Sequence, residues 1–524
     1  MNKIKNFFFK HRLLFIIMLL AACARFIKLG SLPNGVFPDE AYNAYNTWSM
    51  MTEGIDSRGY HMPVYFIAWG SGMNALYAYL ALPLFRIFGA NIFIFRLPQA
   101  LASLGSVFAF YILGKEMFDR KMGYLMAFAL AINPWSIMNA RFGLESTLAP
   151  AMILFSFTFL VLAIKRHPRY LLAAGLTMAL SLYSYALIWI ALPIILILTL
   201  FLYRKQIPLK PVTFISLLFL FAAAVPLLLF VAINMDFIPE IITPFFSVPK
   251  LLAFRGSELS VRNFLQNAKT VLKIVTYQYD GASHTSSSLV GAYYLFTTPF
   301  FVFGIAVHFA KLFKNYRSGD NDLQYLFPVW LVAAAIVAVL QQIVTIIHIN
   351  LIHIPLIFYG VYGIVQAARY IKSRLLVPAC VIFFMISFSV FIYDYSTTRD
   401  SQYYNDLTVE TIERAKDLAG TDQVITIVGY PTIQSGAWLW FERPNPTDFY
   451  TKVVYIDDPA WGQIGSYGQF HWIYSIDQIM GDGIYIVPNN STSRELLTDM
   501  GFNITEVNER YIIAGSDGSL SVVP

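Results

Sequence analysis

The fold class that this sequence predicts is a polytopic α-helical membrane protein carrying a C-terminal α/β domain outside the bilayer. Three observations carry that reading. Of the 524 residues, 57% are hydrophobic and only 13% charged, with a mean hydropathy of +0.57, whereas a soluble domain carries about a quarter charged residues. Apolar runs of about twenty residues recur, separated by short basic loops. Charge is also split along the chain: residues 395–524 hold 7 Lys and Arg against 17 Asp and Glu, and residues 1–394 hold 30 against 14. The basic part follows the positive-inside pattern of membrane proteins and is not a nucleic-acid footprint, so no nucleic-acid partner is expected. Both cysteines, Cys23 and Cys380, sit inside apolar runs. They imply neither a disulfide framework nor a zinc site.

Taken in order, Lys3, Lys5, Lys10 and Arg12 precede the apolar stretch Leu13 to Ala24. No small-residue cleavage site follows, so this reads as an uncleaved first span, about 13–30, with its N-terminus in the cytoplasm. A long external segment, 31–92, comes next and contains two amphipathic stretches, 41–51 and 74–88. Span 2 (about 93–114) leads to the charged turn Lys115-Glu116 to Lys121. Span 3 returns outward to Asn133-Pro134-Trp135, with Arg141 and Glu145 beyond it, and span 4 goes back to Lys165-Arg166. Spans 5 and 6 pair around Tyr183 to Tyr185, and span 7 runs from Val212 to Asn234. A large external loop, 235–290, precedes span 8; spans 9 and 10 flank His348-Ile349-Asn350, and span 11 (about 376–394) delivers the C-terminus outside. With about eleven spans, every basic turn falls on one side. The expected organisation is a membrane domain over 1–394 and a soluble extracytoplasmic domain over 395–524. In that domain, Thr408 to Ala419 and Ser493 to Met500 have helical periodicity, and 423–428 and 483–487 read as buried strands. Trp438, Trp440, Trp461 and Trp472 suit either a sugar-binding surface or a core.

Paired carboxylates at a membrane boundary need an explanation. Asp39 and Glu40 open the stretch Pro38-Asp39-Glu40-Ala41-Tyr42-Asn43-Ala44-Tyr45. Asp39 can cap a helix over about 41–51, with Glu40 in its positive first turn. The topology places Asp39, Glu40, Arg141, Glu145, Arg255, His284 and His348 together on the extracytoplasmic side.

Around that stretch the chain resembles glycosyltransferase family 39, the protein O-mannosyltransferase and aminoarabinose-transferase group of the GT-C architecture. The resemblance rests on Leu29-Gly30, Asp39-Glu40-Ala41 with Tyr42 and Tyr45, and Gly54, Asp56, Gly59 and Pro63. It continues through Leu80-Ala81-Leu82-Pro83, Phe88-Gly89, Arg96-Leu97-Pro98, Asn133-Pro134, Arg141-Phe142 and Glu145. It covers about residues 1–370 in topology and is closest over about 25–150; residues 401–524 have no counterpart. It implies a GT-C-like membrane glycosyltransferase that moves a sugar from a polyprenyl-phosphate donor to an extracytoplasmic acceptor: a protein hydroxyl, a glycolipid or a cell-wall polymer. It implies Asp39 as general base and inversion at the anomeric carbon. Because the polyprenyl phosphate leaves as a stable anion, the chemistry needs a base for the acceptor and cations for the phosphate.

Other residues carry two readings each. Glu40 is either a structural partner at the helix head or a catalytic group. Glu145 stands where the family often has an Asp, and it also has the i, i+4 spacing for an ion pair with Arg141. Arg141 itself is a candidate for the donor phosphate. His348 replaces the family's usual Arg or Lys near a late span end, or is a packing histidine. Arg255 is an alternative phosphate ligand or a solvated loop charge, and His61 a substrate contact. Arg25 and Lys28 can snorkel to lipid headgroups. Asp39, Glu40, Glu145 and His61 are possible divalent-metal ligands without diagnostic spacing, so a divalent ion stays open. A transporter or flippase of lipid-linked saccharides would place polar residues within its spans, which these nearly charge-free spans disfavour. A non-catalytic membrane scaffold would leave the Asp39-Glu40 resemblance unexplained.

Overall fold

The computed structural model describes residues 2–69, 72–208, 210–252, 261–282, 285–318, 322–397, 407–421, 423–456 and 462–515. Seven helices among the described residues are long and apolar enough to cross a membrane: Ile92–Met117, Glu145–Lys165, Pro211–Asn234, Leu295–Asn315, Leu323–Leu340, Asn350–Tyr370 and Leu376–Thr397. The expected spans 3, 5 and 6 form shorter helices, Arg120–Ile132, Tyr170–Ser181 and Ile188–Tyr203. At 1.5 Å per residue the first of these reaches about 20 Å, well under the hydrocarbon thickness of about 30 Å. The chain divides into two compact units. One comprises Met1–Leu32, Arg96–Leu228 and Arg255–Ser401; the other comprises Pro33–Phe95, Leu229–Phe254 and Gln402–Pro524.

The first unit is helical. Its turns are set by side-chain caps: Asp119 accepts from Met122 N at 2.8 Å and Asn133 from Ser136 N at 3.0 Å, which starts helices Arg120–Ile132 and Pro134–Ala140. Small residues let helices Thr298–Ser318 and His353–Tyr370 approach backbone to backbone. A Cβ on Gly363 would lie 1.8 Å from the Phe300 carbonyl oxygen, so van der Waals packing at this contact requires glycine.

Two buried arginines fasten the first helix, Asn2–Phe26. Arg25 is fully buried and donates to the carbonyls of Leu130 (3.0 Å) and Ala131 (2.8 Å) and to Ser103 and Ser136 (both 2.8 Å). It satisfies the orphan carbonyls at the end of helix Arg120–Ile132, so it does not snorkel to headgroups; the inward hydrogen bonds overturn that expectation. Glu116 is buried and paired to Arg166 at 2.9 Å, and its carbonyl accepts from Lys165.

The second unit is α/β and assembles three stretches of chain. Helix Pro38–Glu53 begins one residue before Asp39, with Pro38 in its first turn and Gly54 closing it at φ 76°. Asp39 and Glu40 therefore lie within the first turn, where the positive end of the helix dipole favours carboxylates; Asp39 is not the cap residue. The C-terminal segment supplies a seven-stranded sheet: β1 Ile425–Val428, β2 Val454–Tyr455, β3 Ile464–Tyr467, β4 Phe470–Ile473, β5 Ile484–Pro488, β6 Asn503–Glu506 and β7 Tyr511–Gly515. Their spatial order is β6-β7-β5-β1-β4-β3-β2, with β1 parallel to both β4 and β5 and the remaining pairs antiparallel. Helix Val409–Ala419 is capped by Thr408, and helix Ser491–Asp499 by Asn490.

One core joins the first and last stretches of this unit, and a second cluster, including Val428, Val487, Leu497 and Ile512, packs elsewhere on the sheet. Tyr42, Tyr45, Met50 and Phe66 from the first external segment bury against Trp438, Leu439, Phe449, Phe470 and Trp472 from the C-terminal segment. Trp438, Trp440 and Trp472 are 1%, 4% and 3% exposed, so these three tryptophans are core residues and present no sugar-binding face. Trp461 lies outside the described residues.

Candidate active site

Helix Pro38–Glu53 positions Asp39 by presenting three polar residues at helical spacing to the loop that follows. Asp39, half-buried, accepts the indole N–H of Trp69 on Oδ1 at 2.6 Å. Tyr42, three residues on, packs its ring 5.0 Å from Trp69; its hydroxyl donates to the Ile67 carbonyl at 2.7 Å and pairs with Ser57 at 2.8 Å. Asn46, one turn further, accepts from Ser57 N at 2.8 Å. One helix face thus braces both ends of the 57–69 loop, and Trp69 returns to the carboxylate from that braced loop.

Beneath it, Asp56 is fully buried and accepts from the backbone of Arg58 and Tyr60, both at 2.9 Å, through one oxygen. Burial pushes its carboxyl up to about 6, against the opposing pull of those hydrogen bonds and of Arg58. The Arg58 guanidinium lies 3.9 Å over the Tyr455 ring and donates to the Gly462 carbonyl at 2.8 Å. Tyr42, Ser57, Arg58, Trp69, Ser435 and Tyr455 are among the residues lining a narrow cleft with room for about one water, about 10 Å³.

A close backbone approach in this region is at Gly436, on helix Pro431–Glu442. A Cβ there would lie 3.0 Å from the Pro38 carbonyl oxygen and 3.3 Å from the Trp69 ring. The C-terminal segment therefore packs directly on the head of the helix that carries Asp39. Glu40 is fully buried in that same helix turn, and His61, partly buried, pairs its backbone with Ile55.

Three of the other candidates belong to the helical unit. Arg141 is buried and donates to four carbonyls at the end of the first helix and just beyond: Ala24 (2.9 Å), Arg25 (3.2 Å), Ile27 (2.6 Å) and Leu32 (2.9 Å). Its guanidinium is a C-terminal cap, with Tyr395 5.9 Å away. Glu145 opens helix Glu145–Lys165. His348 is partly buried and pairs through Nδ1 with Thr345 at 2.7 Å. The segments bearing Glu145 and His348 meet through Asn350, which donates to the Ser146 carbonyl at 3.1 Å and accepts from Trp135 Nε1 at 3.2 Å. Asp280, which carried no sequence signal, accepts from Ile346 N at 2.8 Å and ties the large external loop to the same turn. Arg255 and His284 lie outside the described residues. Among the described residues, no three His, Cys, Asp or Glu side chains gather as a metal site.

The many apolar helices and the sheet-containing C-terminal region give this chain a GT-C, ArnT-like fold. Residues 72–230 match the family described as dolichyl-phosphate-mannose-protein mannosyltransferase. That stretch takes in Arg141 and Glu145 and starts after Asp39. The crystal structure of ArnT from Cupriavidus metallidurans in the apo state is similar over 96% of this chain and 97% of its own, with TM-score 0.59 and 12% identity. The same protein bound to undecaprenyl phosphate is similar over 98% and 99%, with TM-score 0.56 and 12% identity. The Archaeoglobus fulgidus oligosaccharyltransferase in its apo form covers 90% of this chain with 65% of its own, at TM-score 0.50 and 14% identity. No curated protein matches the sequence. The resemblance seen in the ordered motifs from Leu29 to Glu145 thus holds for the fold and for the family matched over residues 72–230.

Proposed function

We propose that this chain is a membrane glycosyltransferase that moves a sugar from a polyprenyl-phosphate donor to an extracytoplasmic acceptor, with inversion and with Asp39 as general base. The observation that carries the assignment of Asp39 is its anchored carboxylate: Trp69 donates to Oδ1 at 2.6 Å, which holds the carboxylate in one orientation at the head of its helix. The family match and the ArnT-like fold support the reaction class, and the ArnT complex with undecaprenyl phosphate supports a prenyl phosphate as the carrier.

In the proposed step the acceptor hydroxyl gives its proton to Asp39 while its oxygen bonds to the anomeric carbon. The bond from that carbon to the phosphate oxygen breaks on the opposite face, and polyprenyl phosphate departs as the anion. The leaving group is stable, so the barrier is lowered chiefly by positioning and by charge around the phosphate. Glu145 is proposed as a further catalytic carboxylate and His348 as a contact to the donor phosphate. Arg141 serves by holding the end of the first helix. Glu40 and His61 support the first loop, and the C-terminal segment shapes acceptor access.

Membranes holding wild type or Asp39→Asn, offered a panel of polyprenyl-phosphate sugars with native acceptor extract, provide the test. Wild type should release polyprenyl phosphate from one donor, seen by mass spectrometry, and Asp39→Asn should lose at least a hundredfold in rate. Equal turnover by both proteins would remove Asp39 from the base role, and a retained anomeric configuration would remove inversion. Folded wild type that consumes no donor would move the transporter and scaffold readings ahead.

A further inference from the structure

A cavity of the helical unit lies at the end of the bundle that carries the basic turns. It is a groove of about 460 Å³ between the first helix and helices Ile92–Met117, Glu145–Lys165 and Tyr170–Ser181. Leu14, Met18, Ile112 and Leu162 are among its apolar lining residues; His11 and Lys115 stand at its charged end. Phe15 and Phe108, also in the lining, are 41% and 45% exposed, so the groove is continuous with the outer apolar surface of the helices.

We propose that this groove seats one acyl chain of an anionic glycerophospholipid, with the phosphate at Lys115. Charge favours an anion. The one carboxylate of the lining, Glu116, is buried and already neutralised by Arg166 at 2.9 Å. Lys115, 3.5 Å from Glu116, keeps its side chain 39% exposed, and Lys165 and Arg169 follow at the neighbouring turn. The surplus at this end is therefore positive, as at basic pockets between membrane helices that hold lipid headgroups. The walls favour a lipid over a free ion: an inorganic anion would need a polar cradle, whereas this groove is apolar along its length and opens where acyl chains lie.

Native mass spectrometry of the full-length protein, extracted and exchanged into detergent with phosphatidylglycerol or phosphatidylcholine, tests the proposal. Wild type should retain one phosphatidylglycerol per chain in preference to phosphatidylcholine. Met18→Trp, which fills the groove, should abolish retention. Lys115→Gln should keep the acyl site and reduce the preference for phosphatidylglycerol about fivefold, the effect of one lysine near an anionic headgroup. Thermal unfolding of Lys115→Gln, which sits on an exposed helix end, serves as the folding control. Equal retention of the two lipids by wild type would overturn the proposal. So would unchanged retention by Met18→Trp, or thermal stabilisation by inorganic phosphate equal to that by phosphatidylglycerol.

Discussion

Asp56 shows how a single buried side chain links the loop under the candidate base to pH. Its folded-state value of about 6 lies above the ordinary 3.8 because burial penalises the charge. The folded protein therefore binds a proton that the unfolded chain has released between about pH 4 and pH 6. The associated stability is fully present below the unfolded value and is lost as pH rises through the folded one. Asp56→Asn keeps an amide oxygen for the Arg58 and Tyr60 N–H groups, so it should remove this dependence and raise stability at pH 7 by about 1–3 kcal/mol. Thermal unfolding of both proteins at pH 4.5 and 7.5 checks it: the difference between them should shrink to about a third at the lower pH. Arg141 gives a second prediction at this scale. Arg141→Gln strands carbonyls at the end of the first helix and should cost about 1–3 kcal/mol of stability. The yield of monodisperse protein should fall, while turnover per folded molecule stays within about threefold. The opposite pattern, full yield with turnover lost, would assign Arg141 to the donor phosphate after all. The Asp39-Glu40 pair was legible in the sequence because an ordered set of motifs surrounds it. Trp69 was not, since the rest of helix Pro38–Glu53 and the irregular loop after Gly54 separate it from its partner and no periodicity links them. The partners of Arg141 and Arg25 were invisible for a different reason: they are backbone carbonyls, which every residue possesses.

At the level of elements, the long apolar runs and the basic turns between them gave reliable helices, because a twenty-residue apolar stretch has few alternatives. The shorter helices Arg120–Ile132, Tyr170–Ser181 and Ile188–Tyr203 turn where the sequence places their ends, at Asn133-Pro134, around Tyr183–Tyr185 and before Arg204, but are too short to be counted among the full-length spans. The helix head at Asp39 was placed slightly late: Pro38 already occupies the first turn and displaces the cap to Phe37. Helix Pro431–Glu442 was missed, and it matters most for the site, because Gly436 brings it against the Pro38 carbonyl. Gly436→Val should force these two helices apart, cost about 1–3 kcal/mol and shift Trp69. Its readouts are a lower temperature of thermal inactivation together with a fall in donor turnover at 25 °C. A valine variant with unchanged turnover and stability would mean that the contact is slack.

Across the whole molecule, composition sets a basic part, residues 1–394, against an acidic one, residues 395–524, but it does not report which segments share a core: the compact unit holding the acidic segment also takes in Pro33–Phe95 and Leu229–Phe254. The Tyr42 and Tyr45 stripe on helix Pro38–Glu53 has the look of an amphipathic helix resting on a lipid surface; its partner surface instead comes from residues nearly four hundred positions later, as the Tyr45 hydroxyl bonded to the Pro444 carbonyl shows. Such long-range pairing leaves no local signature. It does set a schedule for biogenesis. The Asp39 segment leaves the ribosome early, yet the compact unit to which it belongs resumes only at Leu229 and again at Gln402. At about 5–20 residues per second, the roughly 300 residues between Phe95 and Gln402 take about 15–60 s to synthesise. During that interval the aromatic face of helix Pro38–Glu53 has no finished partner. A translocation-associated chaperone would meet it exposed, and maturation of the loop is tied to arrival of the last translated segment.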